Sequence, residues 1–394
     1  MHNSLRPFNS TITTRTHNRK ASSPMRVPAA AIHFPEEDRE EILRRIDECL
    51  KSGQLTLGAI GKELEAEFAA AHQVPHAVAV SSGTSALEIP LRVLEARQGE
   101  VLVQANSFFA TAAAVLSSGA RLRFVDCDPA TMSLDPAALE AAIGPETVGV
   151  VTVHIGGYIP PSIRDIQRIC AANDLWLVED AAHAHGSAYD NQLAGTFGAA
   201  GSFSFYPTKV IAGGEGGMIT TTDDRIASEA LIYRDQGKAS FDNNDHTRLG
   251  YNWRMSEPHA AITLAQLRRL DEFVAHRRMI AARYDELLAD SPLRPLVVPD
   301  ESFCNYYKYI AFLPEGVDRR ALKQRLREDF QVALSGEVYE TPLHRQSVFA
   351  DHADEHLPGA EELCARHVCL PVSAVMTEEQ AELVVESVHA ALAG

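Results

Sequence analysis

The sequence predicts an α/β fold in which a parallel sheet is covered by helices on both faces. Two observations point there. Between residues 76 and 179, short apolar strands alternate regularly with helical stretches, the pattern of a parallel sheet built from β-α units. Polar clusters rich in Ser, Gly, Asn and Asp follow several of these strands, and ligands of such sheets collect at the strands' carboxyl ends.

The elements follow in order. Residues 36–50 carry Ile42, Leu43, Ile46 and Leu50 at helical spacing, and 58–71 form a second helix. Strands are expected at 76–80, 100–104, 121–125, 148–154, 175–179 and 201–206, with helices at 85–96, 109–117, 136–142 and 162–172. Residues 258–290 read as one long helix or two. Leu264, Leu267, Leu270, Phe273 and Val274 lie on one side, and Arg268, Arg269, Arg277 and Arg278 on the other. A smaller C-terminal unit follows, with strands at 306–313 and 332–339 and helices at 319–329 and 378–392. The division expected is a leader over 1–31, a large domain over 32–270 and a small domain over 271–394.

Composition bounds the partners. The 394 residues are 45% hydrophobic and 23% charged, with a formal net charge of -17. That balance suits a soluble globular protein and disfavours nonspecific binding to nucleic acid or anionic membranes. No apolar run approaches the roughly 20 residues a membrane helix needs. Cys49, Cys127, Cys170, Cys304, Cys364 and Cys369 form no Cys-x-x-Cys pair, so zinc-ribbon and thioredoxin readings have no support. Scattered cysteines suggest a reducing, cytoplasmic setting. Residues 1–25 have basic but no acidic side chains and no apolar core segment. They read as a disordered leader, an upstream start before Met25 or an organelle transit peptide, and not as a secretory signal.

Five stretches could carry chemistry. Lys209 follows an alternating strand and Pro207 and precedes Gly213, Gly214, Gly216 and Gly217. A lysine on a tight turn beside close-packed glycine backbone suits a Schiff base with a cofactor aldehyde. Ser82, Gly83 and Thr84 open a helix, either as a phosphate cradle or as an ordinary cap. Asp180 ends an apolar strand, where it either caps the next helix or faces a heterocyclic cation. His183 lies three residues on, placed to approach a phenolic oxygen. His183 and His185, at i and i+2, share no helix face, and no third ligand is evident, so no metal is expected. Phe108 is either a core residue or a stacking surface for a flat cofactor. Asn252 and Arg254, in the run Gly250-Tyr-Asn-Trp-Arg-Met255, could bind an anion; His344 and Arg345 remain ambiguous.

Taken together, these segments resemble the DegT–StrS family of sugar aminotransferases that use pyridoxal 5'-phosphate and share fold type I. The resemblance rests on Ser82-Gly-Thr-Ser-Ala-Leu87, Ala105-Asn-Ser-Phe-Phe-Ala-Thr111, Glu179-Asp-Ala-Ala-His-Ala-His-Gly186, Phe203-Ser-Phe-Tyr-Pro-Thr-Lys209 and Gly250-Tyr-Asn-Trp-Arg-Met255. It spans residue 32 to the C-terminus. It implies a mainly parallel seven-stranded sheet with a smaller α+β C-terminal domain. Lys209 would form the imine with the cofactor aldehyde, Asp180 would pair with the pyridine nitrogen, and Phe108 would stack on the ring. Ser82, Gly83, Thr84 and Ser204 would hold the phosphate, with Asn252 reaching in from the neighbouring subunit of a homodimer.

Three positions depart from the family pattern. His183 stands where glutamine is frequent, Gln104 where proline is expected, and residues 155–161 read Ile-Gly-Gly-Tyr-Ile-Pro-Pro. The implied reaction moves an amino group from glutamate or glutamine to a keto group of a nucleotide-linked deoxysugar, in secondary-metabolite or surface-glycan biosynthesis. Arg254, His344 and Arg345 are the candidate substrate contacts. A keto-cyclitol acceptor of aminoglycoside-type pathways is the alternative, and a non-catalytic regulatory or scaffold role a second one. Family members that dehydrate sugars carry histidine at the lysine position, which Lys209 disfavours.

Overall fold

The computed structural model describes residues 26–240, 245–352 and 356–393. Five strands come first: β1 (His76–Val80), β2 (Glu100–Gln104), β3 (Arg121–Val125), β4 (Thr147–Val153) and β5 (Trp176–Asp180). A short hairpin, β6 (Ala188–Tyr189) and β7 (Gln192–Leu193), precedes β8 (Ala200–Ser204) and β9 (Gly217–Thr221). Seven of these make the central sheet, in the order β1-β9-β8-β5-β4-β2-β3. Every pairing from β8 across to β3 is parallel, whereas β9 runs antiparallel to both neighbours. This is the mainly parallel seven-stranded sheet that the resemblance implied.

The strands are apolar on both faces because both faces are covered. Leu102 and Val150 join the core cluster that contains Phe68, Phe203, Phe205 and Leu264. Their neighbours Val101, Val103 and Val151 join the opposite cluster, with Ala112, Val115, Phe124 and Phe349. The period of two along each strand thus feeds two separate cores. A third core packs helices Leu270–Leu288 and Glu378–Ala393 against a smaller antiparallel sheet. That sheet is formed by β10 (Arg294–Pro295), β12 (Tyr309–Phe312) and β13 (His367–Leu370); between β10 and β12, β11 (Ser302–Phe303) instead pairs with β6.

The stretch expected as one long helix or two is two helices, Glu257–Leu267 and Leu270–Leu288. Other expectations need correction. Residues 332–339 form no strand. Val332 bridges Val27 and Ser335 bridges Cys369, but Ser335 also turns its hydroxyl to the Ala29 carbonyl (2.6 Å) and the chain leaves the sheet. Arg277 is not on a solvated face. It is 6% exposed, because Phe273, Arg277, Ile280 and Tyr284 fall on one buried stripe of their helix. Residues 1–25 of the expected leader lie outside the described residues. Residues 26–31 are packed instead: Val27 is 1% exposed and belongs to the third core.

All six cysteines are free and buried. Burial pushes the thiols of Cys170, Cys304, Cys364 and Cys369 up to about 12, so they pack as small apolar groups. Among the described residues no helix is long and apolar enough to cross a membrane.

Candidate active site

The carboxyl ends of β1, β2, β4, β5 and β8 deliver the site. β5 ends in two acids with opposite duties, since consecutive strand residues face opposite ways. Glu179 is wholly buried. It accepts from the backbone N–H groups of Gly195 (2.7 Å), Phe197 (2.6 Å) and Gly198 (2.9 Å), and lies 2.8 Å from His154 Nε2. It holds the loop before β8. Asp180 faces the other way and is 5% exposed. Its Oδ2 accepts from the Thr111 hydroxyl at 2.7 Å, and Thr111 in turn accepts from Ser107 at 2.7 Å. Its Oδ1 accepts from the Ala182 N–H at 3.2 Å. Burial pushes the Asp180 carboxyl up; the Thr111 and Ala182 hydrogen bonds and the charge of Lys209 oppose that.

Lys209 sits on a turn pinned from both sides. Its N–H donates to the Tyr206 carbonyl (2.9 Å), Phe205 N–H donates to Gly216 O (2.9 Å), and Gly213 N–H donates to Phe205 O (2.8 Å). The ammonium lies 5.0 Å from the centroid of the Tyr307 ring. Burial pulls the amine down to about 8; Asp180 counters this and the Lys308 ammonium adds to it. An amine with that value is partly neutral near physiological pH and therefore nucleophilic.

The Ser82-Gly83-Thr84 turn is a cap and an open helix end at once. Ser82 Oγ accepts from Ser85 N–H while Ser85 Oγ accepts from Ser82 N–H, both at 3.1 Å, which closes a capping box on helix Gly83–Val93. The amides of Gly83 and Thr84 remain at the positive end of that helix. Gly83 presses on Ser204 so closely that a Cβ there would stand 2.7 Å from the serine Cβ. This keeps backbone amide and hydroxyl side by side, a cradle of the size a phosphate needs.

His183 is buried and stacks on Tyr307, with ring centroids 4.3 Å apart. Gly156 N–H donates to its Nδ1 at 3.4 Å, so the ring proton belongs on Nε2, which faces the Tyr339 hydroxyl at 3.3 Å. Burial pushes this imidazole well down, so it stays neutral. The 155–161 segment explains the contact. Gly156 and Gly157 have φ of 67° and 91°, and a Cβ on Gly157 would stand 1.9 Å from Asn305 Oδ1; only glycine brings the loop this near. Gln104 also has a reason. Its amide donates to Asn106 O (2.9 Å) and accepts from Val153 N–H (3.0 Å), tying the ends of β2 and β4.

Phe108 is not a core residue. It is 54% exposed and leans on Tyr339, with centroids 5.7 Å apart. Of the expected site residues, Lys209 and His183 meet at the Tyr307 ring, Phe108 and His183 both approach the Tyr339 ring, and Gly83 meets Ser204. Asn252, Arg254, His344 and Arg345 stand apart within this chain. Asn252 is exposed and bridges Asp235, and Arg254 is ion-paired to Asp235. Glu361 engages both His344 Nε2 (3.1 Å) and Arg345 (2.6 Å). Thr111, Tyr307, Lys308 and Tyr339 were not singled out from the sequence. Thr111 was within reach, since it sits four residues after Ser107 at the start of a helix that follows β2.

Comparison with known proteins agrees with this geometry. The model of the DegT/DnrJ/EryC1/StrS aminotransferase family matches residues 36–389. A protein of Geobacillus stearothermophilus described as a pleiotropic regulatory protein is 35% identical over 357 residues, 90% of this chain and 95% of its own length. A UDP-N-acetyl-3-dehydro-alpha-D-glucosamine 3-aminotransferase of Acidithiobacillus ferrooxidans is 36% identical over 344 residues, 87% of this chain and 91% of its own. The crystal structure of the aminotransferase TlmJ from Streptoalloteichus hindustanus superposes with a TM-score of 0.85 at 33% identity, covering 93% of this chain and 99% of that one. The family depends on pyridoxal phosphate. The chain belongs to the DegT/DnrJ/EryC1/StrS aminotransferase family and is a transaminase of that fold.

Proposed function

We propose that this enzyme binds pyridoxal 5'-phosphate and transfers an amino group from glutamate or glutamine to a keto carbon of a nucleotide-linked deoxysugar. The observation that carries the reading is a buried carboxylate, Asp180, whose oxygens are fixed by Thr111 and Ala182, within electrostatic reach of a lysine, Lys209, whose amine burial lowers to about 8. The sugar acceptor is supported by the Acidithiobacillus relative, which is described as acting on a UDP-linked dehydro-sugar.

The residues present fit the cofactor. Gly83, Thr84 and Ser204 would hold its phosphate, Asp180 its ring nitrogen, Phe108 one ring face and His183 its phenolic oxygen. When bound, the group serves as an electron sink for the carbanion formed at the donor's α-carbon. The chain supplies the rest. Asp180, already desolvated, pairs more strongly with a ring cation than an exposed carboxylate would. The Lys209 amine would take the proton from the donor α-carbon and return it to the carbon on the far side of the nitrogen, two atoms away. Neutral His183 can donate through Nε2 without adding charge to the site. Asn252, exposed in the single chain, would complete the phosphate site of a second subunit, making the active form a homodimer. A purely regulatory role, which the Geobacillus relative's description raises, gives no reason for a buried, hydrogen-bonded Asp180 within electrostatic reach of Lys209.

The test is direct. Purified protein loaded with the cofactor should lose its Schiff-base absorbance when glutamate is added. It should then convert a keto-sugar nucleotide to a product of amine mass. Failure to change the spectrum with either donor would sink the proposal.

A further inference from the structure

The cavity beside Lys209 has a charge imbalance that the chemistry above does not use. It measures about 30 Å³, and among the described residues it is lined by the cationic side chains Lys209, Arg277 and Lys308 and by no aspartate or glutamate. This occurs in a chain with a formal charge of -17. Its roof is the segment 29–33. Ser335 Oγ donates to the Ala29 carbonyl at 2.6 Å, and Gln266 Nε2 donates to the His33 carbonyl at 2.8 Å.

The two lysines address one ring, with Nζ atoms 5.0 Å (Lys209) and 5.1 Å (Lys308) from the Tyr307 centroid. Neither Arg277 nor Lys308 has an acidic partner within ion-pair distance among the described residues. Arg277 is 6% exposed. Its Nη1 donates only to the carbonyls of Tyr306 (3.3 Å) and Val372 (3.0 Å), and its Nε has no partner among the described residues. Glu337, the acid that acts on Lys308, is itself bonded to Lys323 at 2.6 Å. Burying cations without a counterion is costly, and an arriving anion removes that cost.

We propose that Lys308 binds a carboxylate of the amino donor, with Arg277 as the second positive charge of the pocket. This rests on the transamination reading and names a binding residue for its first substrate. The lining favours an anion, since Lys308 and Arg277 both border the cavity. The position favours the donor, because only the donor must bring a carboxylate and an amine together within reach of Lys209.

The experiment compares the holoenzyme with Lys308→Met and Lys308→Arg variants. Calorimetric binding of 2-oxoglutarate, the donor's keto form, should weaken at least tenfold in Lys308→Met and recover to within about threefold in Lys308→Arg. Half-saturating glutamate in the first half-reaction should rise by a similar factor, while that of the keto-sugar nucleotide in the second shifts less than threefold. Unchanged 2-oxoglutarate and glutamate affinities overturn the proposal. So does a change confined to the acceptor, which would mark a diphosphate site. If the wild-type spectrum does not respond to glutamate, the transamination reading fails; if it responds and Lys308→Met behaves identically, only the role of Lys308 fails. Should Lys308→Met not fold, Lys308→Gln keeps the shape and removes the same charge.

Discussion

The Thr111 hydroxyl donates to Asp180 Oδ2 at 2.7 Å, joining the helix after β2 to the end of β5 across 69 residues of chain. Ser107, which donates to Thr111 at 2.7 Å, commits the Thr111 proton to the carboxylate. The acid is thereby held in one rotamer before any ligand arrives. Thr111→Val keeps the shape and deletes this bond. The expected result is a loss of kcat/KM of about 10- to 150-fold, from a hydrogen bond to a charged group worth about 1.5–3 kcal/mol, with the melting temperature nearly unchanged. Steady-state kinetics beside a thermal melt would decide it.

The adjacent acids of β5 should respond in opposite ways. Asp180→Asn removes the partner of a ring cation and should cut activity more than about 100-fold while the protein still folds. Glu179→Gln puts an NH2 group among three backbone donors and should cost about 2–4 kcal/mol of stability. Denaturant titration and kinetics on both variants separate the two duties. Equal loss of stability in both would refute the division.

Lys209 sets a pH profile. Its amine is lowered from 10.5 to about 8, so the neutral fraction at pH 7 is roughly one in ten instead of one in some thousands. The rate at which the cofactor-free protein forms its Schiff base should climb as pH rises toward about 8 and level off above. An inflection near 10.5 in stopped-flow absorbance would contradict the burial argument. Lys209→Ala should lose both the band and the activity.

His367 makes the fold acid-sensitive. Burial holds it at about 4. Its Nε2 accepts from Val338 N–H at 2.9 Å while Nδ1 faces the Leu363 carbonyl at 2.5 Å, so a second ring proton has no acceptor. The unfolded chain binds a proton near 6.5 and the folded chain near 4. Stability is therefore fully present above 6.5 and falls progressively as pH drops toward 4. Tyr339 neighbours Val338, so activity should fade over the same window. Melting curves from pH 7 to 4, with His72 adding in the same direction, check the sign.

Much of this was legible beforehand, and the exceptions have physical causes. Strands buried on both faces and glycine-rich turns announce themselves locally, so β1 to β5 and the Lys209 turn read directly. β9 did not, because its first residue lies inside a glycine cluster that resembles a loop. Residues 332–339 were misread because their apolar alternation serves contacts with Val27 and Asn106 rather than a ladder. Arg277 was placed opposite the apolar side with Arg268, Arg269 and Arg278, although its spacing from Phe273 and Tyr284 matches the buried stripe; charge outweighed phase. Lys308 and Tyr307 could not be paired with Lys209 by any spacing rule, since about 100 residues separate them and only the tertiary fold closes the gap.

The segment 26–33 joins the small-sheet core through Val27 to the helix Glu257–Leu267 through His33, and on the way it covers the donor cavity. Truncations that reach this segment therefore change the cavity. A version of the enzyme trimmed to residue 34 would keep its sheet and its lysine yet expose the cationic pocket to water, and assays on it would rank amine donors by a different chemistry from the intact chain.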